Sequence, residues 1–75
     1  MEEFIEQLKK IKKGVDFETE TDLFDDGLLD SFDVLSIIGM LDKVYDVTVP
    51  PSQIIPENFN SAQAMWNMKL RLEEE

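Results

Sequence analysis

The chain has 75 residues, no cysteine and no histidine, and a formal net charge of -10 from 17 acidic and 7 basic side chains. That length predicts one domain, residues 1–75, near the lower limit for folding on an apolar core alone; the composition excludes a disulfide framework, a Cys/His metal cluster, a catalytic thiol and an imidazole base. The charge disfavours nucleic acid and anionic membrane and favours basic protein partners, and the acidic start Met1-Glu2-Glu3-Phe4, with no basic and apolar leader, points to the cytoplasm.

Phe4, Ile5, Leu8 and Ile11 fall on one helical stripe, which predicts a core-facing helix over roughly residues 2 to 13, stopped by Gly14. Glutamates in its first turn and lysines in its last suit the helix dipole, and the cluster Lys9 to Lys13 reads as a solvated face. From Val15 to Asp30 the sequence mixes Asp, Thr, Glu and Gly with isolated apolar residues. This predicts a long ordered loop pinned by Val15, Phe17, Leu23, Phe24 and Leu28.

The next helix, about Ser31 to Tyr45, has the cleanest periodicity: Val34, Ile37, Ile38, Leu41, Val44 and Tyr45 form the inward stripe. Asp30 or Ser31 serves as N-cap, and Asp33 stands in the first turn, where a carboxylate is favoured. Phe32, Leu35, Ser36, Gly39 and Lys43 lie on the opposite face. Two large apolar side chains there suggest a docking surface, unless Phe32 and Leu35 fold back on the loop.

Asp46-Val47-Thr48-Val49-Pro50-Pro51 ends this helix, since the prolines exclude regular helix across the junction. Pro56 opens a one-turn helix through Phe59, with Ile54, Ile55 and Phe59 as its buried side. Asn60 then resembles an N-cap with Gln63 at the reciprocal position. Ala62, Met65, Trp66 and Leu70 continue as an inward stripe to about Leu72, and Glu73 to Glu75 fray. No apolar run reaches membrane-spanning length. Tyr45 and Trp66 read as core aromatics, and the methionines form no cofactor box. The expected fold is all-α: a bundle of three main helices plus one short helix before the last, with a long ordered loop between helices 1 and 2.

The segment Gly27-Leu28-Leu29-Asp30-Ser31-Phe32 holds one hydroxyl, that of Ser31, at the turn into the central helix, exposed and fixed. An anion attached there meets the free N–H groups and positive dipole end of that helix. The region also resembles two other kinds of site. Asp22 to Asp33 has the length of a calcium loop, but Phe24 offers no oxygen at position 3, Asp33 replaces the longer Glu at position 12, and no second loop pairs with it. The adjacent Asp25 and Asp26 lack the pocket that acid–base catalysis needs. An unmodified acidic adaptor for a basic protein is the other alternative.

With the Tyr45-Asp46-Val47-Thr48-Val49-Pro50 junction placed after it, the Gly27 to Phe32 segment resembles the acyl carrier protein family, and the likeness covers nearly the whole sequence. The form of that segment, and Phe59-Asn60-Ser61 before the last helix, look closest to D-alanyl carrier proteins and free-standing peptidyl carriers. The resemblance implies that Ser31, with Asp30 beside it, accepts 4'-phosphopantetheine covalently from coenzyme A through a phosphopantetheinyl transferase. It implies a discrete, monomeric carrier that is no enzyme itself: an acyl- or aminoacyl-activating ligase loads the arm as a thioester, and a downstream enzyme unloads it. Partners in such a family grip the central helix and the loop before it, here Phe32, Leu35, Ser36, Gly39, Asp42 and Lys43, with Asp25, Asp26, Asp30, Asp33, Asp42 and Asp46 supplying charge. Ser36 and Lys43 stand where the fatty-acid type presents glutamates, and Gly39 where it has a larger apolar residue. Ile37, Ile38, Leu41, Tyr45 and Trp66 fill much of a small core, which favours a small aminoacyl cargo such as D-alanine.

Overall fold

In a computed structural model, which describes residues 1–74, Glu2 and Glu3 open α1 (Glu2–Ile11) and Lys9 and Lys10 close it, each opposing the partial charge of its helix end. The helix stops two residues earlier than the stripe predicts. Lys12 is already extended, and Gly14 takes φ +84, a left-handed conformation that a residue without Cβ enters freely.

The expected bounds of α2 (Ser31–Tyr45) are reproduced, and Asp30, not Ser31, is its N-cap. At its far end Asp46 adopts φ 57, which a short polar side chain tolerates, and the N–H groups of Asp46 and Val47 both donate to the Leu41 carbonyl. The prolines then give a single 3-10 turn, Pro51–Gln53, and Pro56 occupies the first position of α3 (Pro56–Phe59), where its missing N–H costs nothing.

The last helix, α4 (Ala62–Glu73), corrects the expected cap. Ser61 Oγ accepts from the Ala64 N–H at 3.0 Å, while Gln63 Nε2 donates along the helix to Asn67 Oδ1. Two cap-forming residues stand side by side at 60 and 61, and local spacing does not choose between them. Glu73 is helical where fraying was expected, and Glu75 lies outside the described residues. The described residues are helical or irregular, with no strand among them, in agreement with the all-α reading.

Phe4 and Leu8 of α1, Val34, Ile37 and Leu41 of α2, Phe59 of α3, and Ala62, Met65 and Met68 of α4 form one core. Against buried Phe4 the half-buried rings of Tyr45 and Trp66 meet in edge-on or tilted pairs at 5.3–6.2 Å, joining three helices. The inward stripes differ from expectation at their margins: Val44, Leu70, Ile54 and Ile55 remain 40–44% exposed. The buried face of α4 instead follows Met65, Met68 and Lys69, which puts Leu70 on the far side. Lys69 is buried by its stem, with Nζ 4.2 Å from the Trp66 ring centroid and 2.9 Å from Glu73 Oε2.

Between α1 and α2 the loop is ordered by buried side chains. Phe17 and Leu23 are buried and Val15, Phe24 and Leu28 half-buried, as expected of pins, but Leu29, which was not among them, is buried as well, 2% exposed, two residues before Ser31. Each of the fully buried side chains contributes about 1.5–3 kcal/mol, and the half-buried ones less. These anchors fix where the chain enters α2.

Candidate functional site

Backbone hydrogen bonds shape the approach to Ser31. The Asp26 N–H donates to the Asp22 carbonyl at 2.7 Å, Gly27 to Phe24 at 3.1 Å, and Leu29 back to Leu23 at 3.0 Å, so the chain reverses before it reaches the helix. Gly27 makes that reversal at φ +76, in the region that favours glycine.

The entry into α2 is closed by a reciprocal capping box. Asp30 Oδ1 accepts from the Asp33 N–H at 2.9 Å, and Asp33 Oδ2 accepts from the Asp30 N–H at 3.1 Å. A third group joins them: Lys12 Nζ donates to Asp33 Oδ2 at 2.9 Å, tying the end of α1 to the start of α2. The lysine cluster is therefore not merely a solvated face, since Lys12 holds Asp33 and Lys9 pairs with Glu18. Burial pushes the Asp33 carboxyl up, but the Lys12 ammonium and the Asp30 N–H outweigh it and hold the group below its ordinary value. The same hydrogen bond raises Lys12.

Ser31 is the first residue of α2 and is exposed. Its hydroxyl has no hydrogen bond to the described residues. Asp33 and Val34 spend their N–H groups on Asp30, which leaves those of Ser31 and Phe32 without an acceptor among the described residues. A free hydroxyl thus stands beside two unspent donors at the positive end of a 15-residue helix. These features fit a phosphodiester: the oxygen is accessible for its formation, and the donors and dipole favour its charge.

Phe32 and Leu35 are 80% and 62% exposed, so they do not fold back on the loop. Ser36, Gly39, Asp42 and Lys43 are exposed on the same helix, and a Cβ added at Gly39 would meet nothing within 4 Å. Of the acidic residues, Asp25, Asp26, Asp30, Asp42 and Asp46 are exposed, whereas Asp33 is half-buried and engaged with α1. Across Asp22 to Asp33, the Asp30 and Asp33 carboxylates serve the cap, and among the described residues no group of three or more acidic side chains is placed to hold a metal ion. A groove of about 250 Å³ lined by Glu2, Ile5, Glu6, Lys9 and Glu18 runs beside α1, and no residue of α2 lines it.

Sequence reasoning missed Asn60 as a partner of this loop. Its Oδ1 accepts from the N–H groups of Phe24 and Asp25, both at 3.0 Å, and its Nδ2 donates to Asp25 Oδ2 at 3.1 Å. No periodic signal marks a contact between residues 35 and 36 positions apart.

The family described as phosphopantetheine attachment site matches residues 2–66 of this chain. D-alanyl carrier proteins of Lactococcus lactis subsp. cremoris and Lactococcus lactis subsp. lactis are 36% identical to it over 45 residues, covering 60% of this chain and 57% of theirs. The match thus spans little more than half the length of those relatives.

Proposed function

The chain belongs to the phosphopantetheine-attachment family, and from that membership we propose that it is an acyl or aminoacyl carrier whose Ser31 hydroxyl is the point of attachment. Its cofactor is 4'-phosphopantetheine, held covalently. When attached, that group supplies the thiol this cysteine-free chain lacks, on which an acyl group is carried as a thioester.

The single observation that carries the assignment is the exposed, unbonded Ser31 hydroxyl at the first turn of α2. In the modification the Ser31 oxygen forms the new bond to phosphorus of coenzyme A, adenosine 3',5'-bisphosphate departs, and the serine proton passes to a base of the transferase. The chain has no histidine to serve as that base. Asp30 and Asp33 keep the turn in place, and the N–H groups of Ser31 and Phe32 would be the donors available to the phosphate charge once the group is attached. On this reading the chain is a substrate of its partners, which supply the catalysis.

Those partners are a phosphopantetheinyl transferase, an acyl- or aminoacyl-activating ligase and an acyl-accepting enzyme. They dock on Phe32, Leu35, Ser36, Gly39, Asp42 and Lys43, with exposed aspartates steering basic surfaces toward the site. A small amino acid, D-alanine first among them, is the cargo that the relatives and the filled aromatic core support. One carrier domain acting as a monomer in the cytoplasm completes the reading; no described helix is long and apolar enough to cross a membrane.

The test is incubation with coenzyme A, magnesium and a broad-specificity transferase, followed by intact-mass measurement. The native chain gains one phosphopantetheine and Ser31→Ala gains none. An unlabelled native chain would turn the reading toward an adaptor that uses Phe32 and Leu35 without modification.

A further inference from the structure

We propose that Asn60 is a positioning residue for the attachment reaction, setting the Ser31 turn from the α3–α4 junction. This rests on Ser31 being the attachment residue. Asn60 sits between the end of α3 and the Ser61 cap of α4, so both helices fix its backbone. From there it makes four hydrogen bonds to one short stretch of the loop. Its carbonyl accepts from the Leu23 N–H at 2.9 Å, its Oδ1 accepts from Phe24 and Asp25, and its Nδ2 donates to the Asp25 carboxylate.

A hydrogen-bonded path continues from that stretch to the site. The Leu23 carbonyl accepts from Leu29, and Leu29 is followed directly by the Asp30 cap and Ser31. Leu23 and Leu29 are both buried, so the stretch cannot shift sideways without opening the core. The side chain of Asn60 satisfies two loop N–H groups and one carboxylate at once, a pattern that only an amide, with its acceptor and donor on one short stem, supplies. A displacement of about 1 Å at a reacting oxygen is enough to slow a reaction by roughly a hundredfold. The residue that aims the turn therefore governs rate even though it touches neither substrate nor the reacting atoms.

The experiment measures transferase kinetics and backbone hydrogen exchange on the full chain. Asn60→Ala lowers kcat for modification by roughly tenfold with KM little changed, and speeds exchange at the Phe24 and Asp25 amides, which lose their acceptor, and at Leu29 beyond them. Asn60→Asp keeps the acceptor but sets a carboxylate against Asp25 and is impaired likewise. Adding Asp25→Asn to it restores a donor–acceptor pair at the native net charge and recovers kcat, with melting temperatures of all variants well above the assay temperature showing that the loss is not one of folded protein. Native kcat in both single variants, or no recovery in the double variant, overturns the proposal. If the native chain takes no phosphopantetheine, the assignment of Ser31 fails instead; exchange at Leu29 then still decides whether Asn60 holds the turn, and native protection in Asn60→Ala overturns it.

Discussion

Lys12 and Asp33 are 21 residues apart in the chain, and Lys12 Nζ lies 2.9 Å from Asp33 Oδ2, the same oxygen that accepts the Asp30 N–H. One carboxylate oxygen thus joins the end of α1 to the cap of α2, one residue from Ser31. The Asp33 side chain is only 15% exposed, which protects the contact from screening, while Lys12 at 38% remains partly solvated and tempers it.

This pair gives a pH dependence of defined sign. Asp33 is held below the ordinary 3.8, so its contribution to stability is complete above that value and is lost as pH falls through the lower, folded value. Lys12 is held above the ordinary 10.5, so its contribution is complete below that value and is lost as pH rises through the folded one. Lys12→Met weakens both dependences and lowers the melting temperature at neutral pH by a few degrees. Thermal unfolding followed across pH checks this, and identical acid limbs in the two proteins would contradict it.

Asp30→Ala removes one half of the capping box and costs about 1 kcal/mol of stability. It also loosens the first turn of α2, so modification of Ser31 slows. Denaturant unfolding and transferase kinetics on the same samples measure both effects.

Leu29→Ala destabilises by about 2–5 kcal/mol because its side chain is buried, whereas Leu28→Ala, half-buried, costs clearly less. Chemical denaturation of the two variants distinguishes the neighbours. Equal losses would refute the assigned direction of the loop.

Gly39→Ala stabilises α2 by about 0.8–1 kcal/mol, since glycine is a poor helix former and the new methyl meets nothing within 4 Å. If partners approach the bare backbone there, the same methyl raises KM for the loading ligase. Phe32→Ala leaves the melting temperature nearly unchanged, because that ring is 80% exposed, and also raises KM. A ligase indifferent to both changes would remove this helix face from the docking surface.

Lys69→Met retains the buried stem but removes the cation above Trp66 and Tyr45 and the pair with Glu73. The cation–π contacts are worth about 0.5–2 kcal/mol, set against the cost of keeping a charge near the core, so the net stability change is small. Trp66 emission is the sensitive reporter and changes in the variant. An unaltered spectrum would place the ammonium away from the indole.

Local chemistry made the helices legible. The bounds of α2 and the breaks at the prolines 50, 51 and 56 are each decided within a few residues, and the structure repeats them, whereas α1 ends at Ile11, ahead of Gly14, and Asp30 rather than Ser31 takes the cap. Helix faces at the margins were less legible, since Val44 and Leu70 fit an apolar stripe as well as Met68 does, and periodicity carries no record of how far the opposing helix extends.

By itself the sequence determined the all-helical order, the serine at the start of the central helix and the apolar face beside it, because these depend on side-chain type and spacing along one element. Only the tertiary structure decided that Lys12 reaches Asp33, that Asn60 leaves the helix cap to Ser61 and fastens the loop, and that Leu29 turns inward beside Leu28. Those choices pair groups distant in the chain, and the free energy that selects among them exists only once packing has brought the partners together and excluded water from between them.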